Sequence, residues 1–269
     1  MSATIYRHEF LSRLVSVIIW SVAVLAIVIL FFSLFPGFSA QSEAIAQMWA
    51  KFPPALRAAF DMDKLDITTV LGFYGFEILF VQLCLAIQAG NYGFGLVSIE
   101  ENEMTADFLL TKPVSRPQVL ISKVLAALSS MFLTTLVAWA GTLIALALYS
   151  GGRTYDRSTL FLLMISLPIF QLFFLSVGLA VSLIVKRVRS VTPYSLALGF
   201  GAYVLAAFTG ALGDVKLELI TPFKHFDPAY IVQHGALNTP LVLLDVAVTL
   251  IALALSYWLY IRRDIPAVS

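Results

Sequence analysis

The chain has 269 residues, 60% of them hydrophobic and 12% charged, with a formal net charge of +1. Soluble domains carry about 25% charged residues, so this composition excludes an ordinary water-facing surface and implies membrane integration. The net charge says nothing about nucleic acid, but no basic patch with aromatic interleaving occurs and no nucleic-acid partner is expected; the single cysteine, Cys84, excludes an intrachain disulfide or a cysteine metal cluster.

Six apolar runs occupy residues 14–35, 67–99, 124–152, 158–185, 190–213 and 241–261. Each has about 20 residues or more, enough to cross roughly 30 Å of hydrocarbon as a helix. Inside them only Glu77 and Asp245 carry formal charge. The expectation is one transmembrane domain over 1–269, all-α and polytopic, with spans at about 15–36, 68–96, 121–149, 159–185, 191–213 and 241–261. The first run is longer than the roughly 7–15 residues of a signal-peptide core and no small-residue cleavage site follows it. It reads as a retained span.

In chain order, residues 1–14 place Tyr6, Phe10, Leu14 and Val17 on one helical face, away from Arg7, Glu9, Arg13 and Ser16. Such a segment either lies in the interface plane or extends the first span. Residues 36–66 form a loop with Pro36, Pro53, Pro54 and an Asp61, Asp63, Asp66 cluster. That cluster lacks the glycine and distal glutamate of a calcium loop and reads as a solvated cap. The second run carries Glu77, Cys84, Gln88, Asn91 and Gly95, whose spacing sets them on one helical face. Buried polar groups in a span face protein or water, so Glu77, Gln88 and Asn91 are candidates for a translocation path or a subunit interface. Structural bonding to a neighbouring helix is the other account. The glycines of the 90–95 stretch favour close helix packing over phosphate binding.

Residues 99–123 separate the second run from the third and hold most of the chain's local signals. Ser98 and Glu101 have capping-box spacing, and Glu100, Glu101 and Glu103 suit the positive end of a helix dipole. Met104, Phe108 and Leu109 form an apolar edge, and Lys112-Pro113 stops the helix. Ser115, Pro117 and Gln118 then start the next helix. The reading is a short amphipathic helix, a turn, and the head of a long apolar helix.

The third and fourth runs form an antiparallel hairpin, with Pro168 kinking the fourth and Gln171 just after it. Lys186, Arg187 and Arg189 make a basic turn suited to lipid head groups. The glycines of the fifth run favour close packing. Residues 214–240 are too apolar for a loose loop; Pro222 and Pro228 divide them into short helices, either a structured outer cap or a partly re-entrant element. The spacing of His225, Asp227 and His234 matches no standard metal site. Tyr257, Trp258 and Tyr260 beside Arg262-Arg263 form an interfacial belt.

Lysine and arginine divide ten to seven between the two sides of this topology, and the ten cluster close to span ends. Both termini and the 99–123 segment are therefore expected in the cytoplasm, and the protein in the plasma membrane. No His-Glu-x-x-His, Gly-x-Ser-x-Gly or P-loop motif occurs, which argues against a membrane enzyme. The alternative to transport is a membrane protein that only binds a partner, such as an immunity or sensor subunit.

The stretch from Glu100 to Arg116, with acidic residues, Met104-Thr105, Leu109-Leu110 and Pro113-Val114-Ser115-Arg116, resembles the cytoplasmic segment of type 2 ABC export permeases. Met104-Thr105 stands where that family often has Gly-Thr. Pro222-Phe223-Lys224-His225-Phe226-Asp227 is similar to a stretch found before the last span of these permeases. The resemblance implies an N-terminal interfacial elbow helix, six spans, and a cytoplasmic coupling helix over 98–112. Residues Glu100, Glu101, Glu103, Met104, Thr105, Asp107, Phe108, Leu109 and Leu110 would dock into a separate ATPase subunit. Residues 214–240 would be short outer helices. It further implies two ATPase copies holding ATP and magnesium, no cofactor in this chain, and a second permease, identical or related.

Overall fold

The computed structural model describes residues 2–59, 63–102, 115–185, 188, 190–212 and 215–262. Among these residues the secondary structure is helical throughout, with no strand. Six helices are long and apolar enough to cross a membrane. They are α1 (Ala3–Ala40), α4 (Val70–Asn102), α5 (Arg116–Tyr149), α6 (Arg157–Ile184), α7 (Val191–Leu212) and α10 (Thr239–Arg262). The short helices α2 (Ser42–Ala50) and α3 (Pro54–Ala59) follow the first span; a 3-10 turn (Val215–Leu219), α8 (Pro222–His225) and α9 (Pro228–His234) precede the last. The all-α polytopic membrane fold expected from the sequence is the fold observed.

Two boundaries differ from expectation, each for a local reason, and a third is as read. Residues 3–14 and the first span form one uninterrupted helix, so no elbow separates them. No glycine or proline interrupts this stretch before Pro36, and even there the helix continues to Ala40. Ser98 does not start a helix. It lies inside α4, and its Oγ donates to the Phe94 carbonyl at 2.6 Å, the back-bond of a mid-helix serine. At Ser115 the capping box forms as read, with Gln118 Oε1 accepting from the Ser115 amide at 3.3 Å.

Between the third and fourth spans, Gly151 and Gly152 adopt φ of 63° and 73°, left-handed conformations that glycine enters without a Cβ clash. Asp156 then caps α6 by accepting from the Thr159 amide at 2.9 Å.

Contacts fix which chain segments share an end of the bundle. The Ser2 amide donates to Ser122 Oγ at 2.8 Å, Lys123 Nζ to the Leu96 carbonyl at 2.9 Å, and Arg116 to the Ile261 carbonyl at 3.2 Å. Ser2, Leu96, Ser122 and Ile261 thus lie at one end. At the other, Phe35 and Phe38 pack on Phe73, Arg153 stacks on Phe35, and Gln233 reaches the Lys64 carbonyl at 2.9 Å. The core has two parts. One joins Phe32, Phe35, Phe73, Leu163 and Leu167; the other joins Leu96, Met131, Phe170, Phe174 and Phe223. Outward-facing Val15, Ile18, Val22 and Leu30 remain exposed on α1, as expected of helices whose outer surface meets acyl chains.

Candidate functional site

The polar residues of the second span do not form one cluster. Gln88 is fully buried and donates through Nε2 to Thr134 Oγ1 at 2.8 Å and to the Tyr92 hydroxyl at 3.3 Å. Gln171 Nε2 approaches Gln88 Oε1 at 3.5 Å, while Gln171 Oε1 accepts from Thr135 at 2.9 Å. This network ties the second, third and fourth spans together. Tyr92 extends it to the first, donating to Ser16 Oγ at 3.2 Å. Asn91 turns elsewhere: its Oδ1 accepts from Ser195 of the fifth span at 2.9 Å. Glu77 lies eleven residues before Gln88, roughly 16 Å along a helix. It is fully buried, and neither of its carboxyl oxygens meets a hydrogen-bond partner among the described residues. Gln88 and Asn91 are therefore bonded inside this chain, and Glu77 stands apart.

Close helix approach makes these bonds possible. A methyl group at Gly93 would overlap the backbone carbonyl of Leu175 in the fourth span, and one at Gly178 would press on Gly90 and Phe94. Gly93 thus serves packing between α4 and α6, and Gly90, where a methyl would meet Ser195, packing between α4 and α7.

The segment before the last span reaches far into the bundle. Thr221 Oγ1 donates to the carbonyl of Ala202, midway along α7, at 2.7 Å. Gln82, twelve residues into α4, donates to the Phe226 carbonyl at 3.0 Å. Phe223 meets Phe170, thirteen residues into α6, with ring centroids 5.0 Å apart. Residues 221–226 thus pack against residues well inside α4, α6 and α7. Irregular backbone inside a bundle needs its polar groups satisfied by protein, and Gln82 supplies such a bond to the Phe226 carbonyl.

This piece carries charge. Lys224 Nζ pairs with Asp227 Oδ2 at 3.0 Å, and His225 Nδ1 lies 3.2 Å from Asp245 Oδ1 of the last span. His225 and Asp245 are 2% and 0% exposed. No group of three or more His, Cys, Asp or Glu side chains placed to hold a metal occurs among the described residues. Leu79, Tyr203, Ala206, Ala207, Phe223, Lys224 and Asp227 line a small cavity beside this piece. At the same end of the bundle, a cleft of about 420 Å³ lies between α2 and residues 63–68, lined by Trp49, Arg57, Lys64 and Asp66 among others.

The expected coupling residues fall largely beyond the described residues. Glu103, Met104, Thr105, Asp107, Phe108, Leu109 and Leu110 lie outside them; Glu100 and Glu101 belong to the last turn of α4, and their side chains are not described. What the structure defines is the frame on both sides, α4 ending at Asn102 and α5 starting at Arg116. Lys123, one of the ten lysines and arginines counted on the side with both termini, is 2% exposed and pairs with Glu9 at 3.1 Å. Sequence reasoning also passed over Gln82, Thr134 and Thr135. Small hydroxyl and amide side chains in an apolar run give no sign of which neighbour they meet.

The family model described as ABC-2 family transporter protein matches residues 3–265. A comparison with curated proteins gave no match. The match spans every membrane helix and both helices that frame residues 103–114, and the chain belongs to the ABC-2 family of transporter membrane proteins.

Proposed function

We propose that this chain is the permease subunit of an ABC exporter in the plasma membrane, driven by ATPase subunits that are separate chains. The observation that carries the reading is the family match over 3–265 on a six-span helical bundle. Supporting it, the segments on either side of 103–114 lie at the same end of the bundle as Ser2 and Ile261, and lysine and arginine concentrate there. That end would face the cytoplasm. Two permeases, identical or related, would pair with two ATPase copies, and ATP and magnesium would bind those partners and not this chain.

In this reading residues 98–112 dock into the ATPase subunit. Glu100, Glu101, Glu103 and Asp107 form a charged rim, and Met104, Phe108, Leu109 and Leu110 an apolar centre, with Thr105 between them. Closure of the ATPases on ATP would pull on the segment and shift the spans between two arrangements. Work on a substrate follows only from its different affinity for the two states. Glu77 is the member of the polar stripe best suited to the path, since Gln88 and Asn91 already have partners within the chain.

Purification from membranes tests this. The tagged chain should bring down an ATP-binding-cassette subunit in equimolar amount, with vanadate-sensitive ATP hydrolysis in the complex. Recovery of the chain without an ATPase, under conditions that keep the membrane intact until mild solubilisation, would overturn the proposal.

A further inference from the structure

We propose that Glu9 and Lys123 are positioning residues that clamp both legs of the 103–114 segment to the first helix, so that a pull on the segment moves three spans as one. The inference rests on the reading above, in which an ATPase subunit acts on that segment. Leu96 precedes the segment and Lys123 follows it. Lys123 Nζ donates to the Leu96 carbonyl at 2.9 Å, using the lone pair that a helical carbonyl keeps after its own intrahelical bond. The same ammonium meets Glu9 Oε1 at 3.1 Å. Glu9 Oε2 in turn accepts from Arg13 at 2.8 Å, and Arg13 lies over the Tyr92 ring, 5.4 Å from its centroid. The ammonium thus joins α4, α5 and α1 at one point.

Stability alone gives weak reason for such a cluster. The side chains of Lys123, Arg13 and Glu9 are 3%, 10% and 15% exposed, and charges so placed lose hydration that their attraction only roughly offsets. Apolar residues of similar volume would hold the helices together about as well. What an ammonium adds is geometry: it bonds the Leu96 carbonyl and the Glu9 carboxylate at fixed distances, which ties the three helices to one another at that point. From Arg13 the contact continues to Tyr92, whose hydroxyl accepts from Gln88 at 3.3 Å. Displacement at the clamp therefore reaches the polar middle of the bundle through bonded groups.

The test measures reaction rates of a water-soluble maleimide with exposed cysteines placed at Ser12 or Ser115, on a Cys84→Ser background, in the complex with its ATPase subunit. Rates are compared without nucleotide and with ATP plus vanadate. In the unmodified clamp both positions should respond to nucleotide. In Glu9→Gln/Lys123→Met the response at Ser115 should persist and that at Ser12 should be lost. Glu9→Gln alone, which keeps the Lys123–Leu96 bond, should give the same split if the double variant does not assemble. The reversed pair Glu9→Lys/Lys123→Glu should restore at least part of the response at Ser12. If Ser12 goes on responding in both neutral variants, the clamp is structural only. If neither position responds even with the clamp intact, the ATPase-driven reading fails and this inference with it.

Discussion

Gln88 of the second span donates to Thr134 of the third at 2.8 Å, in a region where both side chains are fully buried. Hydrogen bonds between membrane helices contribute about 0.6 kcal/mol on average and up to about 1.7. A double-mutant cycle of Gln88→Leu and Thr134→Val, read by unfolding in detergent, should show coupling in that range. Strict additivity of the two losses would mean that the bond contributes nothing.

Gly93 and Gly201 should respond oppositely to alanine. At Gly93 the added methyl meets the Leu175 backbone, while at Gly201 it meets nothing within 4 Å. Overpacking a close contact costs about 1–3 kcal/mol, whereas glycine to alanine in an open helix position is neutral or stabilising by up to about 1 kcal/mol. Thermal unfolding of the two variants side by side gives the comparison. Equal melting would remove the argument that Gly93 serves packing between α4 and α6.

The segment before the last span is held to that span by His225 and Asp245, 3.2 Å apart. His225→Ala leaves a buried Asp245 oxygen without its partner, a loss of about 1–3 kcal/mol. Asp245→Asn keeps an acceptor at the same place and should lose less. The expected sign is lower thermal stability, with protease cleavage between residues 213 and 239 faster in His225→Ala than in Asp245→Asn. Unchanged cleavage in both would show that the pair does not hold this segment.

The spans were legible because hydrocarbon thickness sets a length that six apolar runs satisfy; the second, fourth, fifth and sixth helices begin and end within a few residues of their runs, while the first and third begin well before theirs. The Ser115–Gln118 cap was legible for a different reason, since serine, proline and glutamine at fixed offsets have few other uses. Ser98 misled because the same spacing occurs inside a helix that has not ended: Leu96 and Val97 remain buried, and the serine bonds backwards. The elbow misled because amphipathic spacing in 1–14 says nothing about whether the axis bends after it. Depth is the least legible property. Pro222 and Pro228 mark the helix starts, but only Thr221, Gln82 and Phe170 reveal that the segment sits midway along the spans. Likewise Lys123 looks like any interfacial lysine until Leu96 and Glu9 are seen beside it.

Orientation has its own test. With Cys84 replaced, Thr105→Cys should be inert to an impermeant thiol reagent added to intact cells, and Ser150→Cys should react. Both should react once the membrane is opened. Labelling of Thr105→Cys from outside would invert the topology and remove the 98–112 segment from any cytoplasmic partner.

Docking of the 98–112 segment on an ATPase subunit is the central claim, and Phe108 is its most exposed point. Large apolar residues at the centre of an interface lose about 2 kcal/mol or more on truncation, while rim charges lose little. The direct measurement is the affinity of the ATPase subunit for permease variants in detergent or vesicles, read with ATP hydrolysis on the same samples. Phe108→Ala should bind roughly thirtyfold more weakly, the equivalent of about 2 kcal/mol, and Glu100→Gln should bind close to the unmodified chain. Affinity and hydrolysis in Phe108→Ala equal to those of the unmodified chain would contradict the coupling role of this segment.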